Sequence, residues 1–333
     1  MARDIGDAVR RFVDSLDGPR RAAACLPFDD AARRDWAYWP APRPGVALGA
    51  LDRAQAKAAH RLLATLLPLP AFARAVAIMA LDEVLDRLEG YAGDRRNRDD
   101  YWVAVFGDVA VGAPARGGSP WGVRFEGHHV SVHATVVDGQ VRLTPLFLGA
   151  NPAVVEEADH GVRATQAGLP VVAPLAVEER LGFELLHALT TDARAAAVVS
   201  AEAPRDVLTG NAPRLDRPLP HEGVPLAALT GGAKAAADAL LGVYLARFPP
   251  GVGRPDPDGA SFVWAGAAEP GIGHYYRVAG PRLVIELDNT QDHANHVHTV
   301  VRDPAADFGE DLLAAHRRQA HGAGGAETAR SGP

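Results

Sequence analysis

Six of the thirteen histidines in this 333-residue chain fall in two short runs. The first is Gly127-His128-His129-Val130-Ser131-Val132-His133, and the second is His293-Ala294-Asn295-His296-Val297-His298. Neutral imidazole is the commonest nitrogen ligand for zinc, iron and copper. Alternate residues of a strand face the same way, so the H-x-H pair His296 and His298 would present two imidazoles to one ion. By the same rule Glu286 and Asp288, in VIELDNT, share a face, and a carboxylate pair inside an apolar strand is costly to bury unless it is paired or ligating. His129, His296, His298 and Glu286 are the candidate ligands of a divalent transition metal. Three imidazoles and a carboxylate suit a catalytic zinc or a non-haem iron with a position left open, and copper accepts similar donors. In the first run, alternation puts His129, Ser131 and His133 on one face and Arg124, Glu126 and His128 on the other, unless a bulge at Gly127 changes the parity.

A divalent ion lowers the pKa of water from about 15.7 to about 7. The first expectation is therefore a metal-dependent enzyme, with hydrolysis favoured over a redox reaction at iron or copper. His128, Glu126 and Asp288 are the candidate groups for moving protons. Arg124 and Arg302 would hold a small anionic substrate, with His274 of GHYYR bordering the same site. Each residue also has a plainer reading. Arg302 would pair with Asp303 or Asp307, Arg124 and Glu126 would form a cross-strand ion pair, and His274 would be a core or edge residue. The histidines themselves would form a hydrogen-bonded network stitching two hairpins together, or do acid–base work without a metal. A non-catalytic protein that holds a metal or small anion is the alternative class. The single cysteine, Cys25, lies in AAACLPF, where an inert thiol is expected and a nucleophile is the sharper alternative.

The elements that must position these residues read as α+β, with antiparallel hairpins in the middle and C-terminal third packed with helices. Helical periodicity marks residues 3–17, 52–67, 71–89, 175–199 and 225–248, with a capping box at Asp52 and Gln55. Strands are expected from Tyr101, through VRFEGHHVSVHATVV, and after the Asp138-Gly139 turn through QVRLTPLFLG. Further strands follow at 273–279, 282–288 and 296–302. A second capping box at Asp307 and Glu310 opens a last helix ending near His321. The segment GVALGALDRAQAKAAHRLL (45–63) is echoed by GVPLAALTGGAKAAADALL (223–241), either a duplicated unit or a coincidence of Ala/Leu-rich composition. GAPARGGS (112–119) has glycines but lacks the Lys-Ser/Thr pair of a phosphate-binding loop.

Apolar residues make up 47% of the chain and charged residues 23%, with a net charge of -7, which suits a globular core and gives no drive toward nucleic acid or anionic lipid. The charged N-terminal stretch lacks an apolar leader segment, and no apolar run approaches a membrane span; a cytoplasmic protein is the expectation.

The same residues carry a family likeness. PWGVRFEGHHVSVHATVVDG (120–139) resembles the P-W-G-x-R-x-E-G-H-H-x-S signature of the DUF3500 family, as does TPLFLGANPA (144–153). GHYYRVAGPRLVIELDNTQDHANHVHTVVRDPAADFGEDLLAAHRRQAH (273–321) resembles its second signature, with Y-Y-R, G-P, E-x-D-N-T-Q, N-H-x-H, R-D and D-x-G-x-D-L-L in order. The likeness covers residues 36–321, leaving 1–35 as a helical extension and 322–333 as a disordered tail. It carries no activity. It does mark Arg124, Glu126, His128, His129, Glu286, Asp288, Asn289, His296, His298 and Arg302 as motif positions, and adds Asn289 to the candidate substrate contacts. His133 and His293 lie off the pattern.

Overall fold

The computed structural model describes residues 1–92, 96–109, 118–156, 170–216, 219–220 and 222–322. The tail from 323 and most of the 112–119 glycine segment lie outside them. Eight helices are present among the described residues: α1 (Ala2–Ser15), α2 (Gly18–Ala24), α3 (Arg53–Leu66), α4 (Leu69–Leu88), α5 (Ala176–Ala188), α6 (Thr191–Ala197), α7 (Gly231–Leu245) and α8 (Glu310–Gly322). The eight longer strands are β1 (Tyr101–Phe106), β2 (Trp121–Gly127), β3 (Val130–Val137), β4 (Leu146–Ala150), β5 (Ser261–Gly266), β6 (His274–Gly280), β7 (Leu283–Gln291) and β8 (His296–Arg302). They lie side by side in the order β1-β2-β3-β4-β8-β7-β6-β5, all antiparallel. The fold is α+β.

That order is a palindrome, and the rest of the chain obeys it. In the first half Cys25–Leu26 runs parallel to β1, and Val46–Ala47 pairs antiparallel with it. In the second half Val198–Ser200 runs parallel to β5, and Val224–Pro225 pairs antiparallel with it. Each short antiparallel strand leads through a 3₁₀ turn (Leu48–Ala50, Leu226–Ala228) into α3 or α7. Helix α1 packs on α3, and α5 packs on α7. The echo between 45–63 and 223–241 thus has one local structure in both places. The halves meet where β4 pairs with β8 (Leu146↔Val301, Leu148↔Thr299, Ala150↔Val297).

Alternation of side chains gives the sheet two unlike faces. One carries Val123, Phe125, Val132, Leu146, Leu148, Ile285, Leu287, Val297 and Val301 into the main core beneath the helices. Residues 1–35, expected as an extension, contribute the fully buried Ile5, Val9 and Phe12 to that core. The other face holds a small aromatic cluster of Trp36, Tyr38, Phe147, Val207, Val300 and Phe308. Around it lie buried Arg124, Glu126, Ser131, His133, Glu286, Asp288, His298 and Arg302. Segments 31–44 and 205–216 cover this polar face.

Several local expectations change in the structure. The strand expected over QVRLTPLFLG breaks into Gln140–Arg142 and β4, which lets β4 leave the hairpin and pair with β8. The capping box at Asp52 forms as expected, but the one at Asp307 does not. Asp307 accepts instead from Arg302 Nε (2.8 Å) and the Asp303 N–H (2.9 Å), and Asp307–Gly309 is a 3₁₀ turn before α8. Cys25 belongs to the edge strand, where burial pushes its thiol up, away from the reactive thiolate. No helix among the described residues is long and apolar enough to cross a membrane.

Candidate metal centre

The hairpin between β2 and β3 turns at His128-His129, with His129 in the left-handed region at φ 63°. This two-residue turn resets the alternation across Gly127. Arg124 faces His133, and Glu126 faces Ser131, across the ladder. The four share the polar face, so the parity read from an unbroken strand does not hold. The turn is pinned on both sides: the His129 N–H donates to the Tyr38 carbonyl (3.0 Å), and the Gly149 N–H donates to the His129 carbonyl (2.8 Å).

On the far side of β4, strand β8 begins at His296, and His298 lies opposite Gly149 in the register. The glycine is a physical requirement at this point. A Cβ at Gly149 would stand 2.9 Å from His129 Cδ2 and 3.0 Å from His298 Cδ2. Its absence opens the gap in β4 across which imidazoles from two hairpins meet. Their Nε2 atoms form a small triangle, with His129–His296 at 2.9 Å, His296–His298 at 3.0 Å and His129–His298 at 3.2 Å. These three are close enough to hold one metal ion. With metal–nitrogen bonds of about 2.0–2.1 Å, nitrogen pairs would stand about 3.3 Å apart in a tetrahedron and about 2.9 Å apart on one face of an octahedron. The observed triangle lies between these values.

Protonation chemistry points the same way. His298 Nδ1 lies 2.8 Å from Asp206 Oδ1. An ionised carboxylate only accepts, so Nδ1 carries the proton and Nε2 presents a lone pair. Burial is the largest influence on Asp206 and would raise its pKa. The bonds from His298, the Val207 N–H and Tyr38 outweigh it and hold the carboxyl below its usual value. Burial likewise pushes His129 well below the ordinary imidazole value, reinforced by the neighbouring imidazoles. His296 is driven down to about 3, again chiefly by burial. His129 and His296 are thus held neutral, and a cation between the three converging nitrogens would draw their lone pairs together.

The surroundings orient the ligands. Asp292 Oδ2 lies 3.3 Å from His296 Nδ1 and accepts from the Asn151 amide (3.1 Å). Asp292, His293 and Ala294 form the turn between β7 and β8 with φ of 49°, 59° and 58°. Left-handed conformations cost non-glycine residues about 1–2 kcal/mol each. Asn289, expected to touch substrate, donates to Glu179 (2.8 Å) and accepts from the His296 N–H (3.1 Å), so it anchors the start of β8.

His128 stacks on His129 with ring centroids 3.7 Å apart. Its Nδ1 is 2.6 Å from Asp82 Oδ1, and the other Asp82 oxygen accepts from Tyr101 (2.9 Å). Its Nε2 lies 3.5 Å from Arg96, whose guanidinium also holds Glu89 by two bonds.

The remaining candidates are not brought to the triangle. Glu286, expected as the fourth ligand, is engaged by the Leu208 N–H (2.6 Å), the Thr209 N–H (3.1 Å), the Thr209 hydroxyl and Tyr275 (2.7 Å). Four donors saturate a carboxylate. Arg124, expected on substrate, donates to the carbonyls of Ala32 (2.6 Å), Asp35 (2.8 Å) and Pro44 (3.1 Å). Arg302 pairs with Asp307 and donates to the Ala212 carbonyl (2.7 Å). Both guanidiniums fasten covering loops to the polar face. Glu126 meets Arg43 (3.0 Å) and Ser131 (2.6 Å) in a closed buried cluster with His133. His274 faces the main core, stacked on Trp264 and bonded to the Ile272 carbonyl. Asp288 is the cross-strand partner of His298. It keeps one buried oxygen without a partner, and burial raises its pKa to about 7.

Asp206 and Asp82 had no signal in the sequence, whereas Gly149 and Asp292 lie within the stretches 144–153 and 273–321 that carry the family likeness. Asp206 reaches the site from a covering loop 92 positions away from His298, and only the fold shows that proximity.

The fold and this centre define an α+β protein with a buried three-histidine cluster braced by carboxylates. Over residues 1–310 the chain matches the family described as "Protein of unknown function (DUF3500)", and it belongs to that family. No curated protein and no solved structure matches it.

Proposed function

We propose that the chain is a metal-dependent enzyme in which His129, His296 and His298 bind one divalent transition metal, zinc, iron or copper. The observation that carries this reading is the triangle of Nε2 atoms 2.9–3.2 Å apart. Asp206 at the outer nitrogen of His298 supports it, because ligating imidazoles are commonly oriented by such carboxylates. Three protein ligands leave coordination positions for water and substrate, and a divalent ion there would supply an acidified water for hydrolysis. His128, oriented by Asp82, is the group that moves the proton. Oxidation at iron or copper is the alternative, since the donor set suits those ions as well. A centre that only holds its metal is the non-catalytic alternative. An anionic substrate was expected from Arg124 and Arg302, and both are bonded elsewhere.

Elemental analysis of the purified full-length protein tests the metal reading. The expected result is about one equivalent of a transition metal, lost in His296→Ala while the melting transition persists. A wild-type protein that binds no added zinc, iron or copper overturns it, and loss of folding without any bound metal would favour a structural network.

A further inference from the structure

A cavity of about 310 Å³ opens beside the histidine centre, lined by Pro40, Ala41, Pro42, Asp82, Asn97, Asp100, Trp102 and His128. His128 forms its inner wall and separates it from His129 by one stacking distance, 3.7 Å. A ligand here would touch the Asp82–His128 pair directly.

The duplicated fold supplies an internal comparison. Trp102 lies opposite Glu126, the residue before Gly127 at the His128-His129 turn. In the second half Ser261 lies opposite Ala279, the residue before Gly280 at the Pro281-Arg282 turn. The second half has a cavity at the equivalent place, about 470 Å³, bordered by Ser261 and Pro281. A hollow under the turn therefore belongs to the scaffold. What distinguishes the first is an indole where the second has a hydroxymethyl group, and an imidazole where it has a proline.

The polar groups of the first cavity are selective. Asp82 is occupied by His128 and Tyr101. Asp100 is not: its carboxylate has no hydrogen-bond or ion-pair partner among the described residues. Burial is the largest cause that pushes its pKa up, and the neighbouring Asp82 and Asp99 carboxylates add to the shift. Arg96, the guanidinium nearest His128, is held by Glu89 through both Nε and NH2. Trp102 is only half buried, and an indole face attracts cations. Pro40 and Pro42 also line the cavity. An unbalanced carboxylate and an aromatic face in one hollow select a positively charged group with a short apolar body.

From this placement we infer that the cavity walled by Trp102, Asp100 and His128 binds a small aliphatic amine as its ammonium. It rests on the metal-centre reading only in making that amine the substrate; binding itself needs no metal.

The test uses the full-length protein, ¹⁵N-labelled, with the Trp102 indole N–H resonance assigned by its loss in Trp102→Phe. The probes are 1,4-diaminobutane, erythritol and succinate, which share a four-carbon chain and differ in charge, and metal content is measured separately on each sample. The expected result is a saturable shift with the diamine alone, with about a tenfold higher half-saturating concentration in Asp100→Asn. The proposal is overturned if the diamine gives no shift, if erythritol or succinate shifts the resonance as strongly, or if Asp100→Asn binds the diamine like the wild type. A metal-free sample that still binds the diamine leaves this proposal standing while the metal reading fails.

Discussion

Asp206 and Gly149 decide whether three histidines form a centre or only a cluster. Asp206 fixes the tautomer of His298, and loss of such an outer carboxylate typically costs 10- to 100-fold in metal affinity. Asp206→Asn is expected to weaken zinc affinity by that range in a competition titration with a chelator, with stoichiometry unchanged; unchanged affinity would remove Asp206 from the centre. Gly149→Ala would drive a methyl group against His129 and His298, so it should cost metal binding more than the Asp206 change does. The pH dependence follows from the same burial. In the unfolded chain imidazole titrates near 6.5, whereas His129 is held well below that and His296 near 3. Between these limits the unfolded chain binds protons that the folded chain refuses. The metal-free protein should therefore lose stability as pH falls from about 6.5 toward 3, by up to about 1.4 kcal/mol per pH unit for each ring. Above 6.5 the two rings make no pH-dependent contribution. Urea titrations across this range check the sign.

Among elements, the H-x-H strand and the two hairpins were legible in the sequence because β8 obeys simple alternation and the Asp138-Gly139 turn has strong local chemistry. His296 and His298 followed from that pattern, whereas His129 stood out by the clustering of histidines and lies in a left-handed turn between strands. Glu286 did not join them, because alternation says which face a residue takes and not what lies over that face. The loops covering the polar face, 31–44 and 205–216, carry no periodicity, yet they supply the donors that saturate Glu286 and the carbonyls that take up Arg124 and Arg302. These arginines are structural ties. Removing Arg124 would leave the carbonyls of Ala32, Asp35 and Pro44 without this donor and the buried Glu126 with one fewer cation. Arg124→Ala is expected to cost about 3 kcal/mol or more of stability, read by urea unfolding. Metal per folded molecule should be unchanged, and a loss of metal with normal stability would contradict the assignment.

At the scale of the molecule, one scaffold occurs twice and each copy supplies part of the histidine centre, His129 from the first and His296 with His298 from the second. Composition alone left the echo between 45–63 and 223–241 open; the shared strand, 3₁₀ turn and helix resolve it as a repeated unit. The second copy has Pro281-Arg282 at the turn where the first has His128-His129, and it contributes instead His296 and His298 from its last strand. The centre therefore forms only where β4 and β8 pair across the junction of the halves. X-ray absorption at the edge of the bound metal in the full-length protein tests this account most directly. The expected spectrum has imidazole scattering from three nitrogens at about 2.0–2.1 Å, reduced to two in whatever metal His298→Ala retains. A shell of oxygens without imidazole scattering, or the same three imidazoles in that variant, would contradict it.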